Sequence, residues 1–151
     1  MYQGLVHLHN FLRWIILLLL LVAIVRHFVG MTGKKPFTRG DKKTDTFLMI
    51  TAHIQGLLGI IEWFFGSFGL NLLQDGGGDL MKDPVKRFWV IEHPLGMIIA
   101  IALITIGRKA GKQNISDPSK HKKAFWLFLI ALILILASVP WPGREVARPM
   151  I

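Results

Sequence analysis

Residues 88–108 read FWVIEHPLGMIIAIALITIGR. A helix needs about 20 mostly apolar residues to cross the hydrocarbon layer, and this run has them. Near one end it carries Glu92, His93 and Pro94 side by side. An ionisable side chain inside a span costs roughly 2.5–3.5 kcal/mol on insertion scales, so it turns toward the bundle interior and a partner. The question for the rest of the chain is what Glu92 and His93 meet.

Outward from this stretch, three more apolar blocks occupy 5–25, 47–68 and 124–139, the last being the shortest and ended by Pro140. They are long and unbroken rather than periodic, and 52% of the 151 residues are hydrophobic. Backbone groups in lipid must be satisfied within their own segment, so each block is a helix. The expected fold is all-α: an integral membrane four-helix up-down bundle. It forms a single transmembrane domain over 1–151, with helices at about 5–27, 45–68, 86–108 and 118–139. The first block is too long for a signal peptide and lacks a basic leader, so it reads as mature sequence.

The net charge is +9, from 18 Lys and Arg against 9 Asp and Glu. Such an excess raises the question of nucleic acid, but its distribution answers against it. Arg26, Lys34, Lys35, Arg39, Lys42 and Lys43 flank the first loop. Arg108, Lys109, Lys112, Lys120, Lys122 and Lys123 flank the third. The second loop has Lys82, Lys86 and Arg87, and the tail has Arg144 and Arg148. Basic residues concentrate on cytoplasmic loops. The expectation is therefore a multi-pass protein of the bacterial inner membrane, with both termini on the non-cytoplasmic side and the lipid bilayer as its main partner. His27 and His121, set among these basic residues, read as an interfacial and a solvated side chain. The first loop, with GKKPFTRGDKK at 33–43, reads as a solvated turn. It lacks the spacing of a phosphate-binding loop. The glycines 76–78 read as a flexible link. Cysteine is absent, which excludes disulfides, thiolate metal sites and covalently attached haem.

The polar residues within the spans are few. His7, His9, Asn10 and Arg13 lie in the first helix, with His9 and Arg13 on one face. Thr51, His53, Gln55 and Glu62 lie in the second, and Glu92 and His93 in the third. Counted at about 1.5 Å per residue, His9, Glu62 and His93 fall at one level in the outer third of the bundle. His53 lies deeper, roughly 10 Å or more from His93 on the same count. Two histidines at one depth on different helices supply the axial ligands of a b-type haem. A flat ring needs small residues beside them, and His93 with Gly96, like His53 with Gly56, reads His-x-x-Gly. In this reading His93 and His9 bind the haem iron and His7 is the substitute. Arg13 meets a propionate, Glu92 and Glu62 orient a ligand or take up protons, and His53 is a second binding position.

The opening GLVHLHNFLRW, the GKKPFTRGDKK loop, His53, FWVIEH and the closing SVPWP resemble a group of small bacterial four-span membrane proteins described as cytochrome b-like. The resemblance covers nearly the full chain. It implies haem b and electron transport, with no fixed ligand set to carry over. Other readings stay open: a plain Glu–Arg ion pair that sets helix register, a carboxylate–histidine site for a divalent metal, or a quinone site. As a function, the leading reading is a b-type haem electron-transfer protein or haem-bearing subunit of a respiratory complex. The alternatives are a non-enzymatic accessory subunit, docked to other membrane subunits or to copies of itself, and a metal- or quinone-binding oxidoreductase.

Overall fold

The computed structural model describes residues 1–74 and 78–144. Gly76, Gly77 and Arg148, assigned above to a flexible link and the tail, lie outside the described residues. Among the described residues there are four long helices: α1 Tyr2–Thr32, α2 Arg39–Phe65, α3 Pro84–Lys112 and α4 Asp117–Ser138. Each is long and apolar enough to cross a membrane. A short helical turn, Leu70–Leu73, follows α2.

The helices start where the chain offers caps. α2 begins at Arg39, well before the apolar block, because Thr38 and Asp41 form a capping box. The Thr38 hydroxyl accepts from the Asp41 amide at 3.2 Å, and the Asp41 carboxylate accepts from the Thr38 amide at 2.8 Å. The first loop is therefore shorter than expected, and its GDKK portion is helix. The Asp83 side chain caps α3 ahead of Pro84, and Ser116 caps α4, accepting from the Ser119 amide at 3.4 Å. Thr38→Ala removes the side-chain half of the first of these boxes. It should lower stability by about 1 kcal/mol, read as a lower thermal midpoint of the purified protein in detergent.

α3 is not uniform. Phe88–Glu92 forms one π turn before the regular helix resumes at His93. Such turns insert a residue into the α-helical register and recur at functional sites.

Side-chain contacts fix the direction of each helix. At one end His27 of α1, Asp45 of α2 and His121 of α4 are hydrogen-bonded together, and Arg108 of α3 reaches Thr46. At the other end His9 of α1 faces Glu62 of α2, and His93 of α3 meets Ser138 of α4. The helices thus run up, down, up and down. The core is a column of small and branched side chains: Leu20 and Ala23, Leu48 and Ala52, Ala100 and Ile104, Ala124, Phe128 and Ala131. The outside is as apolar as the inside. Leu18, Leu21, Val25, Ile50, Ile54, Leu57, Ile98, Ile130 and Ile133 are all exposed. In water this surface would drive aggregation; against hydrocarbon it carries no penalty.

Candidate functional site

A cavity of about 780 Å³ opens in the half of the bundle that holds the N-terminus and the end of α4. Its polar lining is His9, Asn10 and Arg13 from α1, His53, Gln55 and Glu62 from α2, and His93 from α3. The remaining wall is apolar, with Trp63 and Trp89 among it. Leu57, Ile60 and Phe64 of α2 and Leu95 and Ile98 of α3 line the cavity and are also exposed. The cavity therefore opens sideways, between α2 and α3, onto the lipid-facing surface. Volume, apolar wall and a few convergent polar groups are the usual attributes of a small-molecule site.

His93 and His9 stand across this space with ring centres 6.5 Å apart and planes inclined by 55°. The His93 ring is held on several sides. Its Nδ1–H donates to the Ser138 carbonyl at 2.7 Å, and the rings of Phe88 and Trp89 lie 5.8 and 5.7 Å away. A neutral imidazole that donates through Nδ1 keeps a lone pair on Nε2. The π turn contributes here, because it sets the register at which His93 emerges beside two large aromatic residues. His9 has its Nδ1 3.8 Å from a Glu62 carboxylate oxygen, both side chains being largely buried. Gln55 secures the same helix turn by donating to the His9 backbone carbonyl at 2.8 Å. Gly59 gives the His9 ring its place: a Cβ added there would lie 3.2 Å from His9 Cε1. Asn10, next to His9, and Arg13, one turn along α1, are buried, and the Arg13 guanidinium lies 5.4 Å over the Trp14 ring.

Several sequence expectations are placed elsewhere. Glu92 is exposed and paired with Arg87 at 2.8 Å, outside the cavity. The π turn explains this, since it brings residues five apart onto one side of the helix. His7 is exposed and absent from the lining. His53 lines the wall, but it bonds Thr105 Oγ1 at 2.9 Å and is exposed at its own side. Gly56 lines the cavity and Gly96 does not. Their Cβ positions are taken by Ile101 and by Ser138, so they serve helix approach rather than a flat ring.

The largest departure is at the other end. His27, expected at the membrane interface, and His121, expected in solvent, are 0% and 1% exposed. His27 Nε2 lies 2.9 Å from both oxygens of Asp45, itself 1% exposed, and His27 Nδ1 lies 2.9 Å from His121 Nδ1. His121 Nε2 reaches the Pro36 carbonyl at 3.2 Å. The signal was in the sequence. His121 shares a helical face with Ala124, Phe128, Ala131 and Ile135, and His27 with Leu20, Ala23 and Gly30. Adjacent lysines and Arg26 drew the reading toward solvent instead.

Comparison of the chain with models of known families, with curated proteins and with solved structures finds no match.

Proposed function

We propose that the cavity binds a b-type haem between His9 and His93, and that the protein is a membrane electron-transfer protein or the haem-bearing subunit of a larger complex. The 6.5 Å separation of the two imidazole centres across an apolar cavity carries this reading. His9 and His93 would be the two side chains that hold the group, and the porphyrin's own nitrogens would complete the iron's donor set, so two side-chain ligands suffice. A bare divalent ion needs more, and no cluster of three or more His, Cys, Asp or Glu suited to a metal occurs among the described residues.

The chain's own residues would then divide the work. The Ser138 carbonyl holds His93 in the tautomer that offers Nε2, and the Glu62 carboxylate, 3.8 Å from His9 Nδ1, favours a hydrogen on that nitrogen electrostatically. Arg13, buried on the His9 side, supplies the positive charge that a propionate requires. Trp63, Trp89 and the aliphatic wall exclude water from the ring. When bound, haem supplies reversible one-electron chemistry at a potential set by its axial ligands and surroundings. The lateral opening between α2 and α3 offers a route for a hydrophobic ligand from the bilayer.

The basic residues gather at the end that holds the first and third loops. The positive-inside rule turns that end toward the cytoplasm of a bacterial inner membrane, with both termini and the haem near the outer face. The test is an optical spectrum of protein purified from haem-replete cells. A sharp Soret band that shifts on dithionite reduction, with stoichiometric haem, supports the reading. A folded, colourless protein that gains no such band on adding haem overturns it.

A further inference from the structure

The buried group at the loop end is independent of the cavity and is built from different residues. Three contacts run in series: Asp45 to His27 Nε2 at 2.9 Å, His27 Nδ1 to His121 Nδ1 at 2.9 Å, and His121 Nε2 to the Pro36 carbonyl at 3.2 Å. Each needs one hydrogen. The last must sit on His121 Nε2, because a proline carbonyl only accepts. Two neutral imidazoles carry two hydrogens between them, one too few. The third lies either on the histidine pair, giving one imidazolium beside an Asp45 carboxylate, or on Asp45 with both rings neutral. The two arrangements interconvert by moving hydrogens along the existing bonds. In both, the group holds three protons.

We propose that Asp45, His27 and His121 form a buried proton-binding site, which takes up one proton on folding at neutral to mildly alkaline pH and thereby latches α1, α2, α4 and the first loop together.

The surroundings are compatible with one held proton. From α1, Arg26 is committed to Asp41 at 3.0 Å. From α2, Asp41 lies 4.0 Å from His121 Nε2. From the first loop, Lys35 lines the adjoining pocket. From α4, the Lys120 ammonium sits 5.6 Å over the Phe37 ring, and Asp117 accepts from the Phe37 amide. From α3, Arg108 is bonded to Thr46. The residues facing the three contacts are otherwise apolar: Phe37 stacks on His27 at 5.8 Å and Phe128 lies 5.7 Å from it. If the third proton leaves, two lone pairs must face each other at one contact in a site closed to water, which is costly.

The sign follows from proton counts. Above about pH 7 an unfolded chain holds two protons on these three groups, with Asp ionised and both imidazoles neutral. The folded chain holds three. One extra proton bound by the native state makes stability fall as pH rises, by tenfold in the folding constant per pH unit. Below about pH 6 both unfolded imidazoles charge, the unfolded chain holds four, and stability falls again toward acid.

The experiment compares the full-length wild type with His121→Phe, which keeps a ring in the site and removes both nitrogens. Unfolding equilibria are measured in mixed micelles from pH 7 to 9. The expected result is a wild-type slope steeper than the variant's by one proton. Equal slopes overturn the proposal. A second measurement uses wild type alone and does not depend on the folding of the variant. In protein labelled with ¹⁵N-histidine, a scalar coupling between the Nδ1 nuclei of His27 and His121 at pH 7, lost at high pH, supports the shared proton. Absence of that coupling in the folded protein at pH 7 overturns it.

Discussion

If the cavity holds haem as proposed, His93→Ala should give a folded protein without a Soret band. The substitution deletes one of the two imidazoles proposed to hold the iron and leaves the helix intact, since alanine is the best helix former. Removing even an outer hydrogen-bond partner of a metal ligand weakens binding by about 10–100-fold; removing the ligand itself should exceed the upper value. His9→Ala is expected to do the same from the opposite side. Glu62→Gln keeps the shape but removes the charge beside His9 Nδ1. It should weaken haem binding by about tenfold and raise the reduction potential, because a less basic imidazole stabilises the oxidised iron less. His7→Ala and Glu92→Gln act outside the cavity and should leave the spectrum as it is. His53→Ala breaks only the bond to Thr105 and should spare the Soret band too. The measurement is haem per protein after purification, with circular dichroism to confirm folding. A wild-type spectrum in His93→Ala would refute His93 as a ligand even if the protein does bind haem.

The parts of the molecule that the sequence disclosed are those set by one solvent. Long apolar runs in lipid form helices, and ionisable residues inside them tend to turn inward. From that alone, the spans and the shared level of His9, Glu62 and His93 could be read. The parts it concealed depend on local geometry. A π turn cannot be inferred from composition, and it sends Glu92 toward Arg87 rather than into the bundle. The capping pattern Thr38-Arg-Gly-Asp41 was visible, but its polar character resembled a loop. Burial of His27, Asp45 and His121 was hidden for a similar reason. Near a membrane surface, lysines and arginines mark depth, not direction. Lys120 and Lys122 flank a residue on the inner face of α4, and the apolar and small residues at three- and four-residue intervals identify that face. Periodicity should have outweighed neighbours.

Gly30→Ala should destabilise the protein, although glycine-to-alanine changes in a helix interior ordinarily help by about 1 kcal/mol. A Cβ at position 30 would lie 2.6 Å from Cγ, Cδ2 and Cε1 of His121 alike, so it would project onto the face of that ring. A free side chain could swing aside. This one cannot, because His27 holds one ring nitrogen and the Pro36 carbonyl the other, and the ring is 1% exposed. Overpacking a site that cannot relax costs about 1–3 kcal/mol, and any shift of the ring also lengthens its two hydrogen bonds. Subtracting the helix-propensity gain leaves a loss of about 0–2 kcal/mol from packing alone, and the lengthened hydrogen bonds add to it. Gly4 provides the internal comparison, since it lies in the same helix with nothing within 4 Å of its Cβ position. Gly4→Ala should therefore raise the thermal midpoint slightly or leave it unchanged, while Gly30→Ala lowers it. The contrast separates helix propensity from packing, because both substitutions add the same methyl group to α1. If the two variants melt together, the His121 ring does not lie against Gly30, and the close approach of α1 and α4 at the loop end is wrong.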